Sequence, residues 1–97
     1  MNGRKAAKTD ANQAEIVRKL RQIPGVTVEL KHDDILVGRK GVTFWYEIKN
    51  PDVISKKTGK VWDSKKKQSQ KALERDFTGH YRIVSTFEEI FNEIMGE

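Results

Sequence analysis

The 97-residue sequence predicts a single α/β domain with the element order α-β-β-β-α-β-α. Three observations predict it. Between Val26 and Lys49 lie short segments of alternating apolar residues broken by Gly- and Asp-containing turns, the pattern of adjacent strands joined by tight connections. Around them stand segments whose apolar residues recur at helical spacing, each opened by a capping residue and closed by Gly or Pro. The chain is also short enough that one core is all it can bury.

Taken in order, residues Met1 to Lys8 are small, basic and unpatterned, and are expected to form a flexible arm preceding a domain of residues 9–97. Thr9 or Asp10 can cap a helix running to about Ile23, with the apolar stripe Ile16, Val17, Leu20 and Ile23, stopped by Pro24-Gly25. Val26 to Leu30 reads as a first strand and Asp34 to Val37 as a second. Val42 to Lys49 reads as a third, reached through the turn Gly38-Arg39-Lys40-Gly41. Asn50-Pro51 ends that strand, because proline has no N–H for a ladder. Asp52 to Asp63 is a long polar connection, expected to be functional or mobile. Ser64 is positioned to cap a helix to about Thr78, with Leu73 and Phe77 facing inward. Gly79 closes it, and Tyr81 to Val84 is a fourth strand. Thr86 caps a last helix carrying Phe87, Ile90, Phe91 and Ile94.

Composition narrows the functional classes. Nineteen Lys and Arg against fourteen Asp and Glu give a net charge of +5, which favours an anionic partner, nucleic acid first. The absence of cysteine rules out disulfides and thiolate zinc sites. No apolar run approaches a membrane span and no signal peptide is visible, so a cytoplasmic protein without a membrane partner is expected. Only 36% of the residues are apolar, so a core shared through a homodimer is expected to help so small a domain.

The chemistry concentrates on the hairpin. Side chains alternate across a strand, which puts Thr43, Trp45, Glu47 and Lys49 on one face. If Gly38 pairs with Gly41, Asp34 lies opposite Trp45 and diagonal to Glu47, about 7–8 Å away and within reach of a shared cation. Two carboxylates completed by water suit Mg²⁺ or Mn²⁺. A cation there would activate water and offset phosphate charge, with Lys49 holding that water or the phosphate. The plain alternative is a solvated strand face. Two helices bring amides towards it: Gln13 projects from the apolar stripe, with Asp10 one turn earlier, and Gln70 aligns with Leu73 and Phe77. Glu15 points away from the stripe. Each glutamine could equally be satisfied by core backbone.

On these residues the chain resembles the PD-(D/E)xK nuclease superfamily, and within it the small VRR-NUC and Holliday-junction-resolvase-like members, including short phage-encoded endonucleases. The likeness spans Thr9 to about Glu89. Asp33-Asp34-Ile35-Leu36-Val37-Gly38 stands where the family has Pro-Asp and an apolar strand, and Glu47-Ile48-Lys49 stands as its (D/E)xK element. The resemblance implies a restriction-endonuclease-like α-β-β-β-α-β core with a C-terminal helix and a mixed sheet. It implies Asp34, Glu47 and the Ile48 carbonyl as metal ligands, and Lys49 as the group assisting the attacking water. The lysine-rich stretch before Gln70 looks like the segment carrying the VRR-NUC glutamine. Two departures stand out: Asp33 replaces the motif proline, and Gln13 occupies the position where resolvases bring a helix glutamate. The second weakens a further metal site or passes the acidic role to Asp10.

Other features carry paired readings. Lys56, Lys57, Lys60, Lys65, Lys66 and Lys67 are either phosphate contacts or a solvated face. Trp62 either stacks on a base or anchors its loop. His32 could approach the metal, though a strand-end residue without a role is the simpler reading; His80 is expected to be structural or exposed. Trp45 is expected to wall the site. The expected function is a Mg²⁺- or Mn²⁺-dependent deoxyribonuclease hydrolysing phosphodiester bonds, with branched or junction DNA among its substrates. The alternative is a non-catalytic DNA-binding or regulatory module on the same scaffold.

Overall fold

A computed structural model describes residues 11–32 and 34–96. The expected arm at residues 1–8, the helix cap at Thr9 or Asp10, and Asp33 lie outside the described residues. Seven elements follow in the expected order: α1 (Ala11–Arg21), β1 (Val26–Lys31), β2 (Asp34–Arg39), β3 (Val42–Ile48), α2 (Gln68–Asp76), β4 (Tyr81–Val84) and α3 (Phe87–Met95). The strands form one sheet in the order β1-β2-β3-β4. The first three are antiparallel, whereas β4 runs parallel to β3, making the sheet mixed. No described helix is long and apolar enough to cross a membrane.

Strand alternation divides the molecule into two apolar layers. On one face Val26, Val28, Ile35, Val37, Tyr46, Ile48 and Val84 pack under Ile16, Val17 and Leu20 of α1 and Ile90 and Ile94 of α3. On the other, Trp45, Tyr81 and Ile83 pack with Leu73 of α2 and with Val53, Ile54 and Val61 of the connection after β3. Helices thus cover both faces, α1 and α3 on one and α2 on the other. The last helix is set by its first turn: the Thr86 hydroxyl accepts from the Glu89 N–H, and the Glu89 carboxylate accepts from the Thr86 N–H, a reciprocal capping box.

Four features refine or differ from the sequence reading, each for a local reason. The β2–β3 turn holds two residues, Lys40 and Gly41, both at positive φ (52° and 81°), so Arg39 pairs with Val42. A two-residue turn of this hand matches the twist of its strands. Centring it on Lys40-Gly41 forces only one side-chain-bearing residue into the left-handed region; centring it on Arg39-Lys40 would force two. Second, α2 begins at Gln68, and Asp63–Lys65 makes only a single 3₁₀ turn. Three adjacent lysine charges oppose the positive end of a helix dipole, and Lys67 stays extended as the cap. Third, the connection is built rather than open: Asn50 Oδ1 accepts from the Asp52 N–H, and Ile54 bridges Val61. Fourth, α2 ends at Asp76, so Phe77 is not an inward helical residue but 44% exposed. Its ring folds back over Gly79, where any Cβ would lie 2.6 Å from it, and meets Trp45 edge-on at 5.3 Å.

Candidate active site

The two-residue turn sets the site. It slides β2 against β3 by two positions relative to the expected pairing, so parity is kept and Asp34 still shares a face with Glu47. The two are now direct cross-strand partners rather than diagonal ones, and Leu36 takes the place opposite Trp45. Directly opposed residues have Cβ atoms about 4.5–5.5 Å apart, closer than the diagonal relation expected from the sequence. Asp34 opens β2 half-buried, while Glu47, near the end of β3, is only 6% exposed.

Two carboxylates this close and this dry cannot both carry full charge. Burial first, then the hydrogen bond to Asp34 and its negative charge, push the Glu47 carboxyl up to about 8, against the pull of Lys49. Glu47 therefore holds its proton more firmly than an ordinary carboxyl does. Lys49 follows on the same face with Nζ 3.5 Å from Glu47 Oε2 and its side chain largely covered. On the far side, Trp45 Nε1 donates to Asp34 Oδ2 at 2.7 Å. The indole is thus more than a wall: it fixes the orientation of one carboxylate.

Ile48, between Glu47 and Lys49, buries its side chain in the opposite layer, so only its backbone faces this chemistry. Asn12 was not singled out from sequence, yet its Nδ2 donates to the Lys49 carbonyl and the Ser85 carbonyl, both at 3.1 Å. It pins the backbone at the Lys49 end of β3. Its position four residues before Ile16, on the same helical stripe, was the available signal. Tyr81, paired in register with Trp45, was also missed; it sits on the same face with its hydroxyl buried.

The remaining candidates are distributed. Gln13 is buried, but α1 packs on the other face of the sheet. Among the described residues it makes no hydrogen bond to Asp34, Glu47 or Lys49. Gln70 is also buried, and its Oε1 accepts from the Lys67 N–H at 3.0 Å, so half of its amide serves as a helix cap. Asp10 lies outside the described residues. Glu15 is exposed, as expected, beside Arg18 and Lys19. His32 is exposed at φ 56°, off the strand, so strand alternation does not place it with Asp34. His80 lies 3.0 Å from Glu93 beneath the other layer. Lys56, Lys57, Lys60, Lys65 and Lys67 are exposed. Lys66 is different: it is 12% exposed and paired with Glu74 at 2.9 Å and Asp63 at 3.5 Å.

A hard divalent cation fits this donor set. Asp34 and Glu47 supply opposed oxygens, and the buried negative charge that now needs a proton would be met by the cation instead. Among the described residues no third His, Asp or Glu completes a cage, so the other ligands would come from backbone, water and substrate. Such an open shell is usual where an ion works on phosphates. No family model, curated protein or solved structure matches the chain.

Proposed function

We propose that this chain is a Mg²⁺- or Mn²⁺-dependent DNA endonuclease whose active site is Asp34, Glu47 and Lys49, on a restriction-endonuclease-like scaffold. The observation that carries the reading is the direct opposition of Asp34 and Glu47, with Lys49 3.5 Å from Glu47 on the same face. A merely solvated strand face would not bury one of two facing carboxylates. A cation bound between them supplies Lewis acidity towards a phosphoryl oxygen and a more acidic water.

The chain's own residues do the rest. Asp34 and Glu47 hold the cation, with the Ile48 carbonyl as a third donor, and Trp45 keeps Asp34 turned towards it. Lys49 directs N–H donors to the oxygens on which negative charge grows as water adds to phosphorus and the ester oxygen departs. Asn12 holds the Lys49 carbonyl and the Lys49 N–H donates to Val84 of β4, so the ammonium is anchored on both sides of its backbone one residue past the end of β3. The exposed lysines 56, 57, 60, 65 and 67 lie on the connection leaving the site, where they can contact phosphates of the duplex. The same proposal includes branched DNA as a substrate form and a homodimer. Leu30 and Val42, 57% and 50% exposed, offer apolar surface for the latter. A monomeric mass in light scattering would remove the dimer.

Incubation of plasmid, duplex and four-way-junction DNA with Mg²⁺ or Mn²⁺ tests the reading. The wild type is expected to cut, and Asp34→Ala to abolish cutting. Undiminished cutting by Asp34→Ala would overturn the assignment. Salt-sensitive binding that ignores the metal, with no cleavage of any substrate, would instead mark a binding module.

A further inference from the structure

Tyr81 opens β4 and pairs in register with Trp45, so its ring lies on the carboxylate face of the sheet. The two rings meet edge to face with centroids 4.9 Å apart. Trp45 in turn holds Asp34 through Nε1. Tyr81 is 8% exposed, and among the described residues its buried hydroxyl has no hydrogen-bond partner. A buried phenol left unpaired is costly, and native chains rarely keep one without a use. Burial and the negative charges of Asp34, Glu47 and Glu74 all raise its pKa, so the group is an O–H donor and its field comes from carboxylates. Those carboxylates already have other partners, Asp34 in Trp45 and Glu47 in Lys49.

We propose that Tyr81 is a positioning residue of the cation site, its hydroxyl donating to the Asp34 and Glu47 carboxylates when a divalent cation is bound. The inference rests on the metal-site reading above and adds an outer shell to it. Trp45 orients one carboxylate in every state; Tyr81 orients the pair only when the ion is bound. Ligating carboxylates are ordinarily held by such outer hydrogen bonds, whose loss weakens metal binding by about 10–100-fold.

Mn²⁺ binding to the full chain, followed by electron paramagnetic resonance, tests this together with metal-free melting temperatures. Tyr81→Phe keeps the ring and removes only the hydroxyl. It is expected to bind Mn²⁺ about 10–100-fold more weakly, while melting at the same temperature as wild type or higher, because the lost hydroxyl has no partner without metal. Equal Mn²⁺ affinity in wild type and variant overturns the inference and leaves the metal site standing. A variant that melts lower, or does not fold, assigns the hydroxyl a packing role and also overturns it. No Mn²⁺ binding by the wild type removes the metal site and this inference with it.

Discussion

Glu47 holds its proton more firmly in the folded chain than in the unfolded one, because burial and Asp34 together push its carboxyl from about 4.5 up to about 8. The consequence for stability has a definite sign. Below pH 4.5 Glu47 is protonated in both the folded and the unfolded chain, and nothing is lost. Between 4.5 and 8 the unfolded chain has released this proton while the folded chain retains it, so stability falls as pH rises. Above 8 the full cost stands. A divalent cation bound there, as proposed, would relieve it, so the rise in melting temperature on adding Mg²⁺ is expected to be larger at pH 9 than at pH 5. Calorimetry at the two pH values checks this; a larger rise at pH 5 contradicts it. At this scale much was legible. Asp34, Glu47 and Lys49 followed from strand alternation, which depends only on the period of two. Trp45's bond to Asp34 was not, because it depends on the exact register of the hairpin; nor was Tyr81's buried hydroxyl, because it depends on β3 pairing with β4, a strand distant in sequence. Gln70 was read correctly as buried, but its oxygen serves a backbone N–H, an outcome that sequence left open.

The element that decides the site is the two-residue turn between β2 and β3. Its left-handed Lys40 carries no compositional signal, since Asn or Gly would be the usual residue there. That is why sequence placed the pairing two positions away while still finding the correct face. Lys40→Asn is expected to stabilise the fold slightly, and Gly41→Ala to destabilise it by about 1–2 kcal/mol, as the cost of a left-handed side-chain-bearing residue. Chemical denaturation measures both, and a neutral Gly41→Ala would contradict the turn. The helices show the same division. The start of α3 was legible because Thr86 and Glu89 form a local, reciprocal motif. The start of α2 was not: Ser64 is a good capping residue, but the lysines that follow it oppose a helix start.

For the whole molecule, the net charge of +5 is a statement about partners, and its distribution separates two kinds of lysine. Lys66 is bound to Glu74 and Asp63 within the protein, whereas its neighbours Lys65 and Lys67 are exposed. If the exposed residues meet phosphates, replacing Lys56 or Lys57 by Ala should weaken DNA binding and lower the slope of log K against log salt by about 1 each. Lys66→Ala should leave that slope unchanged and reduce stability instead. Equal slope changes at Lys66 and Lys57 would contradict the distinction. Helices packed on a sheet were legible from element order and apolar periodicity, but the face that α1 covers was not: the sequence reading aimed Gln13 at the carboxylate face, and α1 packs on the other. The packing of the connection on the Trp45 face was not legible either, because its few apolar residues, Val53, Ile54 and Val61, are spread through a lysine-rich segment. If Glu47's buried charge holds a cation for phosphodiester hydrolysis, as proposed, Glu47→Gln should abolish that role, since it keeps the shape and removes the charge. In Mn²⁺ at pH 8 the wild type should cut labelled DNA and stop on chelation, while Glu47→Gln should melt at the same temperature as the metal-free wild type or higher and cut no DNA. Cleavage by Glu47→Gln at the wild-type rate would contradict the account.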